Sequence, residues 1–219
     1  MSSIKIGWRH YSDRIQNNVL KKVSTKTTMK YIEDQTFEKI NFQTEQFLKG
    51  EYEKCHFIQC DLSNTDLSNC RFTECVFTAC NLSLVKLNKT AIQDVTFKEC
   101  KILGLHFENC NEFGLSFNFE NCQLNHTSFY KLKIKKTVFK DTKIQECDFT
   151  ESDLTAAVFD NCDLTRTLFE NTILEKVDFT SAYHYSIDPA INRIKKAKFS
   201  LSGLSGLLNQ YDIIIENNL

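Results

Sequence analysis

The apolar residues of this chain recur at every fifth position. They occupy 37, 42, 47, 52, 57, 62, 67, 72, 77, 82, 87, 92, 97, 102 and 107 without a miss, and resume at 119, 124, 129, 134, 139, 144, 149, 154, 159, 164, 169, 174 and 179. Neither regular element has this period, because a helix repeats a face every 3.6 residues and a strand every 2. On a helix these side chains would spiral over every face. In a flat strand the odd period would send successive ones to opposite sides. They share one interior only if the chain bends once in every pentad.

A longer period lies inside the short one. Phe37, Phe57, Phe77 and Phe97 are twenty residues apart, as are Phe119, Phe139, Phe159 and Phe179, and so are Phe129, Phe149 and Phe169. Leu62, Leu82 and Ile102 form another such set, and so do Leu124, Ile144 and Leu164. Four pentads therefore make one turn, and like residues stack on like. The prediction is an all-β, four-sided coil whose layers lie one strand spacing apart, about 4.8 Å. Phe97 and Phe119 are separated by twenty plus two residues, so the phase survives the break. The break near 108–118 is read as a two-residue bulge between two stacks, not as a domain boundary.

Composition supports an unconventional turn. Six glycines and one proline in 219 residues are too few for a chain built on ordinary tight turns. All ten cysteines lie two places before a central position, in a slot shared with Thr65, Thr90, Thr127, Thr137, Thr142, Ser152, Ala157, Thr167 and Thr172. Residues two apart in an extended segment share a face, so these thiols are read as small buried packing groups. Their spacings are multiples of five or span the break, unlike the paired spacings of zinc sites, so no metal is expected. The first residues lack the apolar core of a secretory signal and no run approaches a membrane span, so reduced thiols in a cytoplasm are expected.

Segments such as "CDLSNTDLSNCRF", "CDFTESDLTAAVF" and "CDLTRTLFENTIL" resemble the A(D/N)LXX motif of the pentapeptide-repeat family, over roughly residues 35–183. The resemblance implies a right-handed quadrilateral β-helix with slot and centre pointing inward. Residues 1–34 then form an N-terminal extension or cap, and 184–219 a C-terminal module. In that module "KAKFSL" reads as one more rung. "SLSGLSGLLNQY" puts Leu201, Leu204, Leu207, Leu208 and Tyr211 on one helical stripe, which Gly203 and Gly206 weaken. "DIIIE", with Ile213, Ile214 and Ile215, follows as a short strand. The module resembles the one through which quinolone-resistance pentapeptide proteins dimerise; the alternative is a cap that seals the last coil. The break carries Glu112, Phe113 and Gly114 and resembles the Phe-Gly interruption of the same proteins, where glycine marks a bulge or hinge.

Net charge is −1 but unevenly spread. Residues 131–143 carry +5, from Lys131, Lys133, Lys135, Lys136, Lys140 and Lys143 against Asp141. Residues 144–183 carry −7, with Glu146, Asp148, Glu151, Asp153, Asp160, Asp163, Glu170, Glu175 and Asp178 as a candidate acidic face. The five histidines are scattered and read as surface residues, and no nucleophile, HExxH or phosphate-loop motif occurs. The expectation is a protein that is not an enzyme and takes no cofactor. The family resemblance implies a homodimeric DNA mimic that binds type II topoisomerase, DNA gyrase or topoisomerase IV, through spaced carboxylates. A scaffold for some other protein is the competing reading. Direct nucleic-acid binding is not expected, because the lysine run lacks interleaved exposed aromatics.

Overall fold

The computed structural model describes residues 29–216. The chain winds into a solenoid of about eight turns with four faces, visited in a fixed order in every turn. The first face begins as a four-stranded parallel sheet, β1 (Lys30–Glu33), β3 (Gly50–Glu53), β5 (Arg71–Thr73) and β7 (Ala91–Gln93). Above the break it continues as parallel bridges Lys133↔Asp153 and Ile173↔Arg193. The second face is one nine-stranded parallel sheet: β2 (Thr36–Glu38), β4 (His56–Ile58), β6 (Val76–Thr78), β8 (Val95–Lys98), β9 (Phe117–Glu120), β10 (Val138–Lys140), β11 (Val158–Asp160), β12 (Asp178–Phe179) and β13 (Lys198–Phe199). Single bridges link the rungs of the third face, from Asn41 to Tyr183, and of the fourth, for example His106↔Ser128↔Asp148. The register is twenty residues per turn, as in Phe57↔Phe77 and Phe139↔Phe159. Across the break it is Phe97↔Phe119, so the phase is kept as expected.

The bends lie at the last residue of the pentad. Among the described residues, twenty-seven other than glycine have φ between 49° and 63°, and all but His184 and Asp212 occupy that position. The occupants are Asn, Asp, Lys, Glu, Gln, Arg, His, Ala and Leu, with no β-branched residue and no Phe, Tyr or Trp among them. That exclusion is steric, because a branched Cβ collides with the backbone in the left-handed region. Thr44 stands at the equivalent position and does not adopt it. The backbone groups freed at each bend pair with the neighbouring turn, as Lys136 N–H does with Thr155 O at 3.0 Å.

Within the coil the rings stack along the axis. Phe139 lies 4.8 Å from Phe159 and 5.4 Å from Phe119, nearly parallel to both, and meets Phe149 edge-on at 5.9 Å. Stacked contacts along a column and T-shaped contacts between columns are both favoured ring geometries. The slot residues add a hydrogen-bond spine. Cys60 Sγ–H donates to Phe37 O at 3.3 Å, Thr90 Oγ1–H to Leu67 O at 2.8 Å and Asn192 Nδ2–H to Phe169 O at 2.7 Å, each in the turn below. The slot thus takes small donors as well as small apolar groups such as Ala157. It also takes larger ones around the break, namely Val85, Val95, Leu105 and Phe117.

All ten cysteines are free and buried. Burial pushes the Cys110, Cys147 and Cys162 thiols up to about 12. Such thiols stay protonated in the fold while the unfolded chain ionises near 8.5, so they favour unfolding as pH rises above that value. We expect no thiol of the native protein to react with a disulfide reagent at pH 8, and all ten to react in denaturant. Rapid native release of more than one thiol would contradict this packing.

Two boundaries differ from the sequence reading. The first described rung starts at Lys30, within the segment assigned to the extension, while residues 1–28 lie outside the described residues. At the other end "KAKFSL" does add a rung, since Asp178↔Lys198 and Phe179↔Phe199 pair. The expected helix and strand do not follow it. Leu204–Leu207 and Asn209–Tyr211 are 3-10 turns, and Asp212–Glu216 is neither helix nor strand. The reason is the glycine pair. A Cβ at Gly206 would lie 2.4 Å from Tyr185 O, and one at Gly203 3.0 Å from Tyr185 Cζ, so both glycines let the backbone press directly on that ring. Seating there, with Ile187 N–H donating to Gly206 O at 2.9 Å, replaces a regular helical stripe.

Candidate interaction surfaces

The break occupies the first face at mid-length. After a short 3-10 turn, Phe107–Asn109, Cys110 still fills its slot, but Glu112 at the central position faces water. The interior is filled instead by Leu115 and Phe117, whose ring lies 4.9 Å from Phe107 and 5.2 Å from Phe119. Phe113 is pushed outward and is 82% exposed. The loop is held firmly. Phe113 N–H donates to Asn111 Oδ1 at 3.0 Å and Gln93 Nε2–H to Phe113 O at 3.3 Å. Ser116 Oγ–H donates to Asp94 Oδ1 at 2.9 Å while accepting from Asp94 N–H at 2.7 Å. Gly114 has φ +69°, and a Cβ there would meet Gln93 Nε2 at 2.6 Å. An ordered loop thus presents one phenyl group to water at no evident benefit to the fold. The sequence reading found Glu112, Phe113 and Gly114 but missed the inward Phe117, whose alternation with Phe119 was the available signal.

The tail is the second exposed apolar surface. Leu201 is 88% and Ile214 90% exposed, and Leu204, Leu208, Tyr211, Ile213 and Ile215 are also exposed. Leu207 alone of the stripe packs against the core. These groups gather at one end of the rod, beyond β13.

The nine carboxylates do not gather on one face. Asp153 and Glu175 lie on the first face, Asp160 and Asp178 on the second, Asp163 on the third, and Asp148 and Glu170 on the fourth; Glu146 and Glu151 stand at bends. Most have partners. Glu146 meets Arg166 and His126, Glu151 meets Lys131 at 3.4 Å, Asp153 meets Lys135 at 3.1 Å and Glu175 meets Arg193 at 2.6 Å. Asp178 is held below the usual carboxylate range, chiefly by the Thr180 hydroxyl and with help from Lys198. Burial alone would raise Asp153, but hydrogen bonds from Thr155 and Lys135 outweigh it and leave the group lowered. Several of these acids are thus local turn acceptors. The six lysines of 131–143 likewise form a belt around one turn, with Lys133 and Lys135 on the first face, Lys140 on the second and Lys143 on the third. Among the described residues no cluster of His, Cys, Asp and Glu has the makings of a metal site, and no helix is long and apolar enough to cross a membrane.

Bends at every fifth residue, an inward centre and slot, and side-chain chemistry confined to the outside define a four-sided β-solenoid. The family model described as a pentapeptide repeat region matches residues 50–118 and 116–183, and the chain belongs to the pentapeptide-repeat family. Among solved structures it is similar to a trypsin-treated form of QnrB1, a plasmid-mediated fluoroquinolone resistance protein. That match has 14% identity and a TM-score of 0.56, and covers 87% of this chain and 100% of that one. It also matches HetL, a pentapeptide-repeat protein involved in heterocyst differentiation regulation from the cyanobacterium Nostoc sp. strain PCC 7120. There the identity is 13%, the TM-score 0.39, and the coverage 89% of this chain and 93% of that one. No curated protein matches the chain. At 14% identity the likeness to QnrB1 speaks for the fold.

Proposed function

We propose that this chain is a non-catalytic, protein-binding rod of a reducing cytoplasm that self-associates through its C-terminal tail and engages a partner protein through the mid-length bulge. One observation carries the reading: on a rod whose outside is otherwise mostly polar, Phe113 stands in water on a loop the fold holds in place, and the tail isoleucines stand exposed at one end. Preorganised apolar groups ringed by polar ones are what protein interfaces use as anchors. At high salt, which screens contacts between exposed charges, replacing Ile213, Ile214 and Ile215 by Ser is expected to convert a dimer into a monomer in sedimentation, with melting temperature within a few degrees of the parent. An unchanged mass would refute the tail contact.

A second reading takes type II topoisomerase as the partner and the rod as a DNA mimic. The likeness of fold to a fluoroquinolone resistance protein and the Phe113-Gly114 interruption support it. The scatter and pairing of the nine carboxylates weigh against it, since a basic groove recognises unpaired negative charge along one side. Gyrase supercoiling with and without ciprofloxacin decides between the two. The first reading expects no change at micromolar protein, whereas inhibition or drug protection would move the assignment to gyrase.

A further inference from the structure

We propose that the first face is a docking surface for a second copy of this chain, laid side by side and antiparallel. The argument begins with charge. Below the bulge this face carries Glu33, Asp34, Glu51, Glu53 and Asp94, with Lys54 and Arg71 as counter-charges. Above it the balance is reversed, with Lys133, Lys135, Lys136, Lys176, Arg193, Lys195 and Lys196 against Asp153 and Glu175. The face is therefore acidic at one end and basic at the other, and the bulge divides it near the middle.

Symmetry turns this polarity into a register. A two-fold axis lying across the face through the bulge sends each level to the level equally far beyond it, and keeps each lateral position in its own column. The columns are set by the repeat: the residue before the centre, the one after it and the bend residue. In the first column Arg71 then faces Asp153, and the exposed ring of Tyr31 faces Arg193. In the second, Glu33 faces Lys195. Along the bend column Asp34 faces Lys196 and Asp94 faces Lys136. At the one level where like charges meet head-on, Glu53 and Lys54 face Glu175 and Lys176, and each acid reaches the other chain's base diagonally. Phe113 lands on the axis, against its own symmetry mate.

Physical size is adequate. Nine stacked levels at about 4.8 Å span roughly 38 Å, and a face five residues wide, about 16 Å, gives about 600 Å² per partner, at the small end of specific interfaces. Lys133, Lys136, Lys195 and Lys196 have no carboxylate within ion-pair distance among the described residues, so they are available to a partner. Opposed charges of this kind specify orientation more than they add affinity.

This inference is independent of the tail contact, so its test uses the full chain carrying the three tail Ser replacements. If the tail reading is right, only the lateral contact remains; if it is wrong, that chain behaves as the parent. One variant adds Lys195→Glu and Lys196→Glu, the other Glu33→Lys and Asp34→Lys. In low salt each alone is expected to self-associate at least tenfold more weakly than its parent, because acid meets acid or base meets base. An equimolar mixture is expected to return to within about threefold of the parent, because both halves of the mixed interface are again complementary. A mixture that stays monomeric, or single variants that dimerise as the parent does, overturns the proposal. As a second probe, Phe113→Cys is expected to form a disulfide-linked dimer on mild oxidation, much faster than Val138→Cys on the second face. Equal rates overturn the placement of the axis.

Discussion

Phe139→Ala is expected to destabilise the folded chain by about 3–5 kcal/mol, the upper range for a buried aromatic truncation. Phe139 has no exposed surface and is clasped by parallel rings above and below and by perpendicular rings of the next column. The cost of such a change depends on how far the surroundings collapse into the space. Collapse is resisted here because the rung spacing is fixed by parallel backbone pairing on both sides, Phe139↔Phe119 and Phe139↔Phe159. In a solenoid each turn touches only its neighbours, so a weak layer loosens both halves. For a chain of this size the expected fall in melting temperature is about 6–20 °C. Circular dichroism melts would show it, with Val138→Ala on the outer surface as a control that moves little. A fall below about 2 °C would mean that the ring columns are not the main support of the coil.

Much of this core was legible because it obeys a strict period. Phe139 could be assigned to a stack with Phe119 and Phe159 from spacing alone, since only one winding makes every fifth residue internal and every twentieth residue a neighbour. The candidate surfaces were less legible, for two physical reasons. A linear charge count collects Asp153, Asp160, Asp163 and Asp148 into one acidic run, but a chain that turns a corner every five residues deals them to four faces. The tail failed differently. Its leucines have helical spacing, yet Gly203 and Gly206 seat on Tyr185, and that tertiary contact overrides a local propensity worth a few tenths of a kcal/mol per residue. The polarity of the first face was hidden for the same reason as the acidic scatter: Asp34 and Lys196 become opposed only when the columns of the coil are known.

The bend itself is the least visible feature, and it yields the second large effect. Ala156 has φ 61° and stands at the end of its pentad, where its N–H donates to Glu175 O at 2.8 Å. A left-handed residue with a Cβ costs roughly 1–2 kcal/mol relative to glycine, and a β-branched one more. Ala156→Val is therefore expected to lose about 2 kcal/mol. Ala156→Gly relieves the strain but adds freedom to the unfolded chain, so its net gain is about 0.5 kcal/mol. The ordering Gly above Ala above Val is the reverse of what a helix or strand interior gives for Gly and Ala. Denaturant titration of the three proteins measures it directly. Valine as stable as alanine at this site would show that the turn does not need a left-handed residue. The same argument explains the composition: a bend that any unbranched side chain tolerates needs no glycine, so the chain turns at interval after interval while leaving no trace except the branched residues missing from those positions.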